Sequence, residues 1–188
     1  VLYKEMGQYS KAEPLLIRAT DIRKKIFGEN HPAYAGSLNN LATLYEVMGQ
    51  YEKSEILYLQ AEKIIRQASG ETHPDYASTL NNLAFLYTTL GRYPDAEFIY
   101  LKSITLRKKV LGESHPDYAS SLNNLGALYS DLGQKEKAEL LIVEAKEIRK
   151  KVLGEEHPDY GSSLNNLALL YKGLGKYDKA EQLYFCLL

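Results

Sequence analysis

Apolar side chains recur along the chain in two alternating patterns, each with the spacing of one face of an α-helix. In the copy that spans residues 74–111, the apolar positions are Tyr76, Leu80, Leu83 and Tyr87 in the first pattern and Ala96, Ile99, Tyr100, Leu106 and Val110 in the second. Steps of three and four residues between apolar positions are typical of amphipathic helices. Pro74 suits the first position of a helix, and Gly91 and Gly112 suit the position just after a helix end. The pattern therefore predicts helices over about residues 74–90 and 93–111.

The same pair of patterns returns every 42 residues. His-Pro stands at 31–32, 73–74, 115–116 and 157–158, and Leu-Asn-Asn-Leu stands at 38–41, 80–83, 122–125 and 164–167. The repeat units are 1–30, 31–72, 73–114, 115–156 and 157–188, and the first and last are partial. We therefore expect a fragment of a longer array. Since one short helix pair cannot bury its own apolar face, neighbouring pairs must stack, and residues 1–188 are expected to form a single all-α array.

Small residues recur at fixed places in this period. They are Ala42, Ala84, Gly126 and Ala168 in the first helices and Ala12, Ser54, Ala96, Ala138 and Ala180 in the second. Small side chains allow two helices to approach closely, so we expect these positions to lie where helices of the stack meet.

The overall composition narrows the class of protein. The 23 basic and 24 acidic residues nearly cancel, which argues against nucleic-acid or membrane-surface binding through bulk charge. No apolar run approaches the roughly 18 residues of a membrane helix. The single cysteine, Cys186, excludes an intrachain disulfide framework and favours a cytoplasmic location.

Two recurring polar features suggest chemistry. The first is the set of four histidines, His31, His73, His115 and His157. Equivalent residues of stacked repeats lie on the order of 10 Å apart, too far to share one zinc ion, so we expect the histidines to serve helix starts.

The second feature is a basic run at helix ends, at 23–25, 107–109 and 149–151. A stripe for an acidic partner is one interpretation. Complementarity to the helix dipole, with pairing to Glu29, Glu113 and Glu155, is the one we favour.

Four asparagine pairs lie in the middle of the first helices. They are Asn39 and Asn40, Asn81 and Asn82, Asn123 and Asn124, and Asn165 and Asn166. Asparagine is a poor helix former, so eight such positions need a reason. A carboxamide can donate to and accept from the backbone of an extended peptide, but buried amides are usually satisfied within the fold. Both roles stay open, as does a division in which one asparagine of each pair is structural and the other contacts a ligand.

The consensus Leu-Asn-Asn-Leu-Ala-x-Leu-Tyr-x-x-x-Gly-x-Tyr-x-x-Ala-Glu resembles the tetratricopeptide repeat. The 42-residue period is similar to that of kinesin light chains, nephrocystin-3 and bacterial or cyanobacterial tandem arrays. The resemblance implies a right-handed superhelical solenoid of antiparallel helix pairs. It also implies that the first helices line a concave groove, where a peptide or partner helix docks.

The resemblance places the asparagine pairs in that groove, together with positions that vary between repeats. These are Thr43, Phe85, Ala127 and Leu169, and one turn later Glu46, Thr88, Ser130 and Lys172. Kinesin light chains accept acidic tryptophan-containing peptides on a basic groove. Lys172 is the one basic residue among these positions, so an apolar or mixed segment is the expected ligand here.

We therefore predict a non-catalytic protein-binding scaffold without cofactor or metal, since no nucleotide, nucleophile or metal motif occurs. The alternative is a regulatory or assembly segment of a larger signalling protein or enzyme that carries a nucleotide-switch or protease domain elsewhere. The apolar stretch 183–188 also predicts end-to-end association of the chain, because an uncovered terminal repeat exposes core-forming residues.

Overall fold

The computed structural model describes Tyr3 and residues 6–186, and all regular structure in that part of the chain is α-helical. The helices are α1 (Tyr9–Phe27), α2 (Pro32–Val47), α3 (Tyr51–Ser69), α4 (Pro74–Thr89), α5 (Tyr93–Leu111), α6 (Pro116–Asp131), α7 (Lys135–Leu153), α8 (Pro158–Gly173) and α9 (Tyr177–Phe185). Short helices that begin with proline alternate with longer second helices. The predicted all-α class and the tandem pairing are confirmed, and the predicted bounds of α4 and α5 hold to within one residue.

The helices pack into two compact units, Val1–Ile99 and Tyr100–Leu188. In the first unit α2 packs between α1 and α3, and α4 packs on α3 and directly against α2. In the second unit α7 packs between α6 and α8, α9 packs on α8, and α6 contacts α8. Within each unit a first helix therefore meets second helices and the next first helix, as stacking requires. The assignment of residues 1–188 to a single array stays a prediction.

Small residues lie where the helices approach, as expected from the period. All nine of the predicted small positions are buried, and Ala42, Ala84 and Ala138 are fully covered. The largest fully buried side chains include Tyr58, Tyr76 and Tyr100. Tyrosine supplies the largest side chains of the core in this chain, which has no tryptophan.

Each first helix begins with a histidine cap. The Nδ1 atom accepts the backbone N–H of the residue two positions on, at 3.1 Å for His31, 3.2 Å for His73, 3.1 Å for His115 and 3.1 Å for His157. The cap satisfies one of the N–H groups that a helix start leaves without an internal partner. The predicted role of the histidines at helix starts is confirmed.

Buried arginines tie second helices to the following first helix. Arg107 donates to the backbone oxygen of Asp117 at 2.6 Å and to Ser121 Oγ at 2.7 Å. Arg149 makes the same bonds to Asp159 (2.9 Å) and Ser163 (2.8 Å). Burial lowers the pKa of both guanidinium groups. Both residues belong to basic runs predicted to be solvated, so this role was not predicted from the sequence.

The junction between α3 and α4 uses different chemistry. Ile65 stands at the position that Arg107 and Arg149 occupy in the later repeats, and it is fully buried. Thr79 replaces the serine and accepts a hydrogen bond from Asn39 Nδ2 at 2.7 Å. An apolar side chain therefore fills the arginine site where the partner hydroxyl is satisfied by the neighbouring repeat.

The first lysine of each basic run has the predicted partner. Lys24 pairs with Glu29 at 2.7 Å, Lys108 with Glu113 at 2.5 Å and Lys150 with Glu155 at 2.7 Å. These pairs confirm the predicted pairing with Glu29, Glu113 and Glu155 at the lysines, whereas the buried Arg107 and Arg149 depart from the predicted solvated run. In the described part of the chain, no helix is both long and apolar enough to cross a membrane.

Candidate binding surface on the first helices

One face of each first helix points away from the core and carries half of the predicted site residues. We call it the outer strip, and define it as residues 40, 43 and 47 of α2 and their equivalents 82, 85 and 89 of α4, 124, 127 and 131 of α6, and 166, 169 and 173 of α8. The spacing of three and four residues puts the members of each set on one face. Every one of these positions is half-buried or exposed. The strip is therefore reachable from solvent in both units.

In the first three pairs the first asparagine is less accessible than the second. Asn39 of α2 donates to Thr79 of α4, and its Oδ1 atom is buried without a hydrogen-bond partner. Asn81 and Asn123 are 8% and 4% exposed. Asn165 of α8, the last first helix, is exposed. Three of the four first asparagines are thus largely closed to a ligand, and Asn39 bridges two first helices.

The second asparagine of each pair lies on the outer strip. Asn40 is exposed, while Asn82, Asn124 and Asn166 are half-buried. Their position places the amides beside the variable residue one turn later. The structure thus separates the two members of the first three pairs, which the sequence could propose but could not assign.

Two outer-strip positions carry large apolar side chains. Phe85 is 51% exposed and Leu169 is 50% exposed. Each follows the second asparagine of its helix by three residues, so an amide and an apolar surface lie together on α4 and again on α8. The equivalent residues Thr43 and Ala127 are smaller and half-buried.

Thr43 and Glu46 of α2 are engaged with the core. Thr43 Oγ1 bonds the backbone oxygen of Asn39 and lies 2.9 Å from the hydroxyl of Tyr58, which is fully buried. That hydroxyl donates to Glu46 Oε2 at 3.0 Å. Burial, together with the nearby Glu46 carboxylate, raises the pKa of Tyr58. The groove position predicted at Glu46 is therefore a buried carboxylate in this repeat.

The remaining predicted residues lie at the ends of their helices. Thr88 Oγ1 donates to the backbone oxygen of Ala84 at 3.0 Å. Ser130 accepts from Lys135 Nζ through its backbone oxygen, at 2.7 Å. Lys172 is exposed and borders an open hollow of about 470 Å³, whose other lining residues include Tyr177, Tyr184 and Phe185. Leu187 and Leu188, at the end of the stretch predicted to self-associate, lie outside the described residues.

Tyrosine–glutamate pairs connect a first helix to the second helix that precedes it, and they were not predicted from the sequence. Tyr171 donates to Glu139 Oε1 at 2.8 Å, and burial with this glutamate raises the pKa of Tyr171 to about 12. Burial and a hydrogen bond to Glu55 likewise raise the pKa of Tyr87. Arg92 lies 3.9 Å from the centre of the Tyr87 ring and bonds Glu55 at 2.8 Å. The available signal was the glutamate that recurs with the tyrosine every 42 residues.

The chain matches the tetratricopeptide repeat model over residues 1–67, 34–109, 75–151 and 141–184. It belongs to the tetratricopeptide repeat family. The resemblance deduced from the Leu-Asn-Asn-Leu consensus is thereby confirmed. A search of curated protein sequences found no match.

Solved structures of tetratricopeptide repeat proteins superpose on nearly the whole chain. BtubC (BKLC) from P. vanneervenii is 30% identical, with a TM-score of 0.79 over 97% of this chain and 72% of that one. A putative kinesin light chain of Podospora anserina with nearly identical repeats is 27% identical, with a TM-score of 0.74 over 98% of this chain and 88% of that one. MamA, at 17% identity and a TM-score of 0.61, shares the fold. The predicted likeness to kinesin light chains is confirmed.

Tetratricopeptide repeats generally act as protein–protein interaction scaffolds, and the fold is typically non-catalytic. The family therefore gives the class of function, which is protein–protein interaction.

Proposed function

We propose that this chain is a scaffold that binds a peptide or a partner helix along the outer strips of its first helices. The observation that carries the proposal is the pairing of a solvent-reachable carboxamide with an exposed apolar side chain. Asn82 stands with Phe85 on α4, and Asn166 stands with Leu169 on α8. Each of the two compact units thus carries one such pair.

The second asparagines are suited to the backbone of the ligand. A carboxamide offers a donor and an acceptor from one side chain, which matches a peptide group whatever residue it belongs to. The first asparagines Asn39, Asn81 and Asn123 are less suited, because they lie between helices where a ligand backbone has little access.

The apolar members of the strip define the side chain that the ligand presents. Phe85 and Leu169 each leave half of their surface in water, and covering it on binding is favourable. Charge is sparse, because Glu46 is buried and Asp131 and Lys172 stand in the last turns of α6 and α8. We therefore propose a ligand with large apolar residues and little net charge, in contrast to an acidic peptide.

The test is selection of peptides from a random library on the 188-residue chain, followed by affinity measurements on variants. Asn82→Ala and Asn166→Ala are each expected to weaken selected peptides about fivefold to tenfold, as loss of one hydrogen bond does. Gln60→Ala and Gln67→Ala are matched controls, because both are exposed amides on α3. Equal affinity for the double asparagine variant and the wild type, with circular dichroism confirming both folds, would remove the strip from the binding account.

Three further predictions concern the same protein. The role as a regulatory or assembly segment of a larger signalling protein or enzyme stays an alternative prediction. A cytoplasmic location and end-to-end association through the terminal helices also stay predictions. The exposed hollow beside Lys172 and Phe185 is the surface on which end-to-end association would depend.

A further inference from the structure

The second helix α3 exposes an apolar surface that the core and the outer strip do not use. Ile56 is 63% exposed and Leu59 is 45% exposed, one turn apart on the same face. Phe98 and Leu140, at the position of Ile56 in later repeats, are 70% and 72% exposed. An exposed apolar patch on one helix face is typical of an interaction surface.

Charges flank the apolar pair of α3 symmetrically. Glu52 lies four residues before Ile56, and Lys63 lies four residues after Leu59, so the four residues share one face. Along the helix, Glu52 and Lys63 have the same midpoint as Ile56 and Leu59, and it lies between residues 57 and 58. Glu52 and Lys63 are both exposed. The face therefore reads acid, apolar, apolar, base from its start to its end.

This face of α3 is complementary to the same face of an antiparallel second copy of α3. A twofold axis through the common midpoint sets Ile56 of one chain opposite Leu59 of the other, and it sets Glu52 opposite Lys63. Each contact then occurs twice, as in isologous dimers. We propose that this face of α3, namely Glu52, Ile56, Leu59 and Lys63, is the interface of a homodimer formed with a second copy of this chain.

Neighbouring second helices do not have this complementarity. The equivalents of Glu52 and Lys63 are Pro94 and Thr105 on α5, and Glu136 and Glu147 on α7. An antiparallel pair of α7 helices would set glutamate against glutamate, which opposes association. The charge pattern therefore assigns the twofold axis to α3.

The shape beside Ile56 supports the same arrangement. An apolar hollow of about 210 Å³ borders it, lined by Leu41, Tyr45, Lys53 and Leu57. In the dimer, Leu59 of the second copy lies opposite Ile56, next to this hollow, and the twofold axis repeats the contact. The interface uses no residue of the outer strip, so it is independent of the proposed ligand site.

Sedimentation equilibrium of the 188-residue chain, from about 1 to 500 µM, tests the proposal. We expect a monomer–dimer equilibrium. Glu52→Lys and Lys63→Glu should each raise the dissociation constant about tenfold, because each creates two like-charge contacts per dimer. The double variant Glu52→Lys with Lys63→Glu should return it close to the wild-type value, since the swapped charges again face each other. Ile56→Lys should abolish the dimer.

Matched variants separate this interface from other contacts. Glu136→Lys makes the same charge change at the equivalent position of α7 and should leave the dissociation constant unchanged. Phe185→Lys, in the exposed terminal helix, removes any contribution of end-to-end association and should leave the dissociation constant of the α3 dimer unchanged. The proposal is overturned by a monomer at every concentration, by a dimer that the double variant does not restore, or by a dimer that Phe185→Lys weakens. Far-ultraviolet circular dichroism establishes that each variant is folded.

Discussion

Gly126 of α6 stands where the other first helices have alanine, and replacing it with alanine tests how the second unit is packed. A Cβ atom built at Gly126 would lie 2.6 Å from Ile142 Cγ1 and 3.3 Å from the backbone oxygen of Ala138. Ile142 is fully buried on α7 and occupies the place that Tyr58 and Tyr100 hold in earlier repeats. The branched isoleucine approaches α6 so closely that only a hydrogen atom fits.

Two opposing effects set the magnitude of Gly126→Ala. Alanine in a helix interior is worth about 1 kcal/mol over glycine. Overpacking of a filled core costs about 1–3 kcal/mol, and here Ile142 would have to move while backbone lies behind the new methyl group. We therefore expect Gly126→Ala to destabilise the chain by about 1 kcal/mol, against the direction that helix propensity alone predicts.

The assay is a double-mutant cycle with Ile142→Ala, followed by urea denaturation. Ile142→Ala alone should cost about 2–5 kcal/mol through the cavity it leaves. In that background Gly126→Ala should stabilise by about 1 kcal/mol or slightly less, because the helix propensity gain remains and the 2.6 Å clash with Ile142 is gone, while the 3.3 Å contact with the backbone oxygen of Ala138 remains. The coupling between the two sites is then about 2 kcal/mol. If Gly126→Ala stabilises both backgrounds equally, the close contact between α6 and α7 does not exist.

Two other predictions concern buried polar groups. Arg149→Met should destabilise by about 1–3 kcal/mol because it leaves the acceptors at Asp159 and Ser163 without a donor. Arg149→Ile combined with Ser163→Thr copies the natural junction of Ile65 and Thr79 and should recover at least half of that loss. Lys150→Met is the control and should leave the denaturation midpoint unchanged. No recovery in the double variant would contradict the account of this junction. Tyr171 should titrate near pH 12, so its neutral form adds stability that is fully present below pH 10 and is lost as the pH rises through about 12. The tyrosinate absorbance difference between wild type and Tyr171→Phe measures this, and a difference that titrates at pH 10 would refute the buried contact with Glu139.

The outcome at the asparagine pairs shows where sequence reasoning reached its limit. Both members of each pair have the same residue type and adjacent positions, and adjacent helix positions point about 100° apart. Which one faces the stack depends on where the next repeat packs. Asn39 bonds Thr79, whereas Asn40 is exposed, and that difference comes from the position of α4.

The buried arginines show the same limit of sequence reasoning. Arg107 and Lys108 are neighbours in one basic run, yet Arg107 is 5% exposed and Lys108 pairs with Glu113 at the surface. A charge in a run is usually solvated, so the sequence favoured a surface role for both. The partner groups of Arg107 belong to the next repeat, 10 and 14 residues later, and only the packed helices bring them together.

The sequence by itself determined the helices, their caps, the repeat and the family, because helix period, proline and glycine positions and the 42-residue spacing are all local or periodic signals. Tertiary structure alone decided which polar side chains are buried and which are open to solvent. Asn123 and Asn165 occupy the same place in their repeats, but Asn123 is 4% exposed and Asn165 of the last first helix is exposed. Burial in a stack is a property of the neighbouring repeat, and no residue carries that information in its own local sequence.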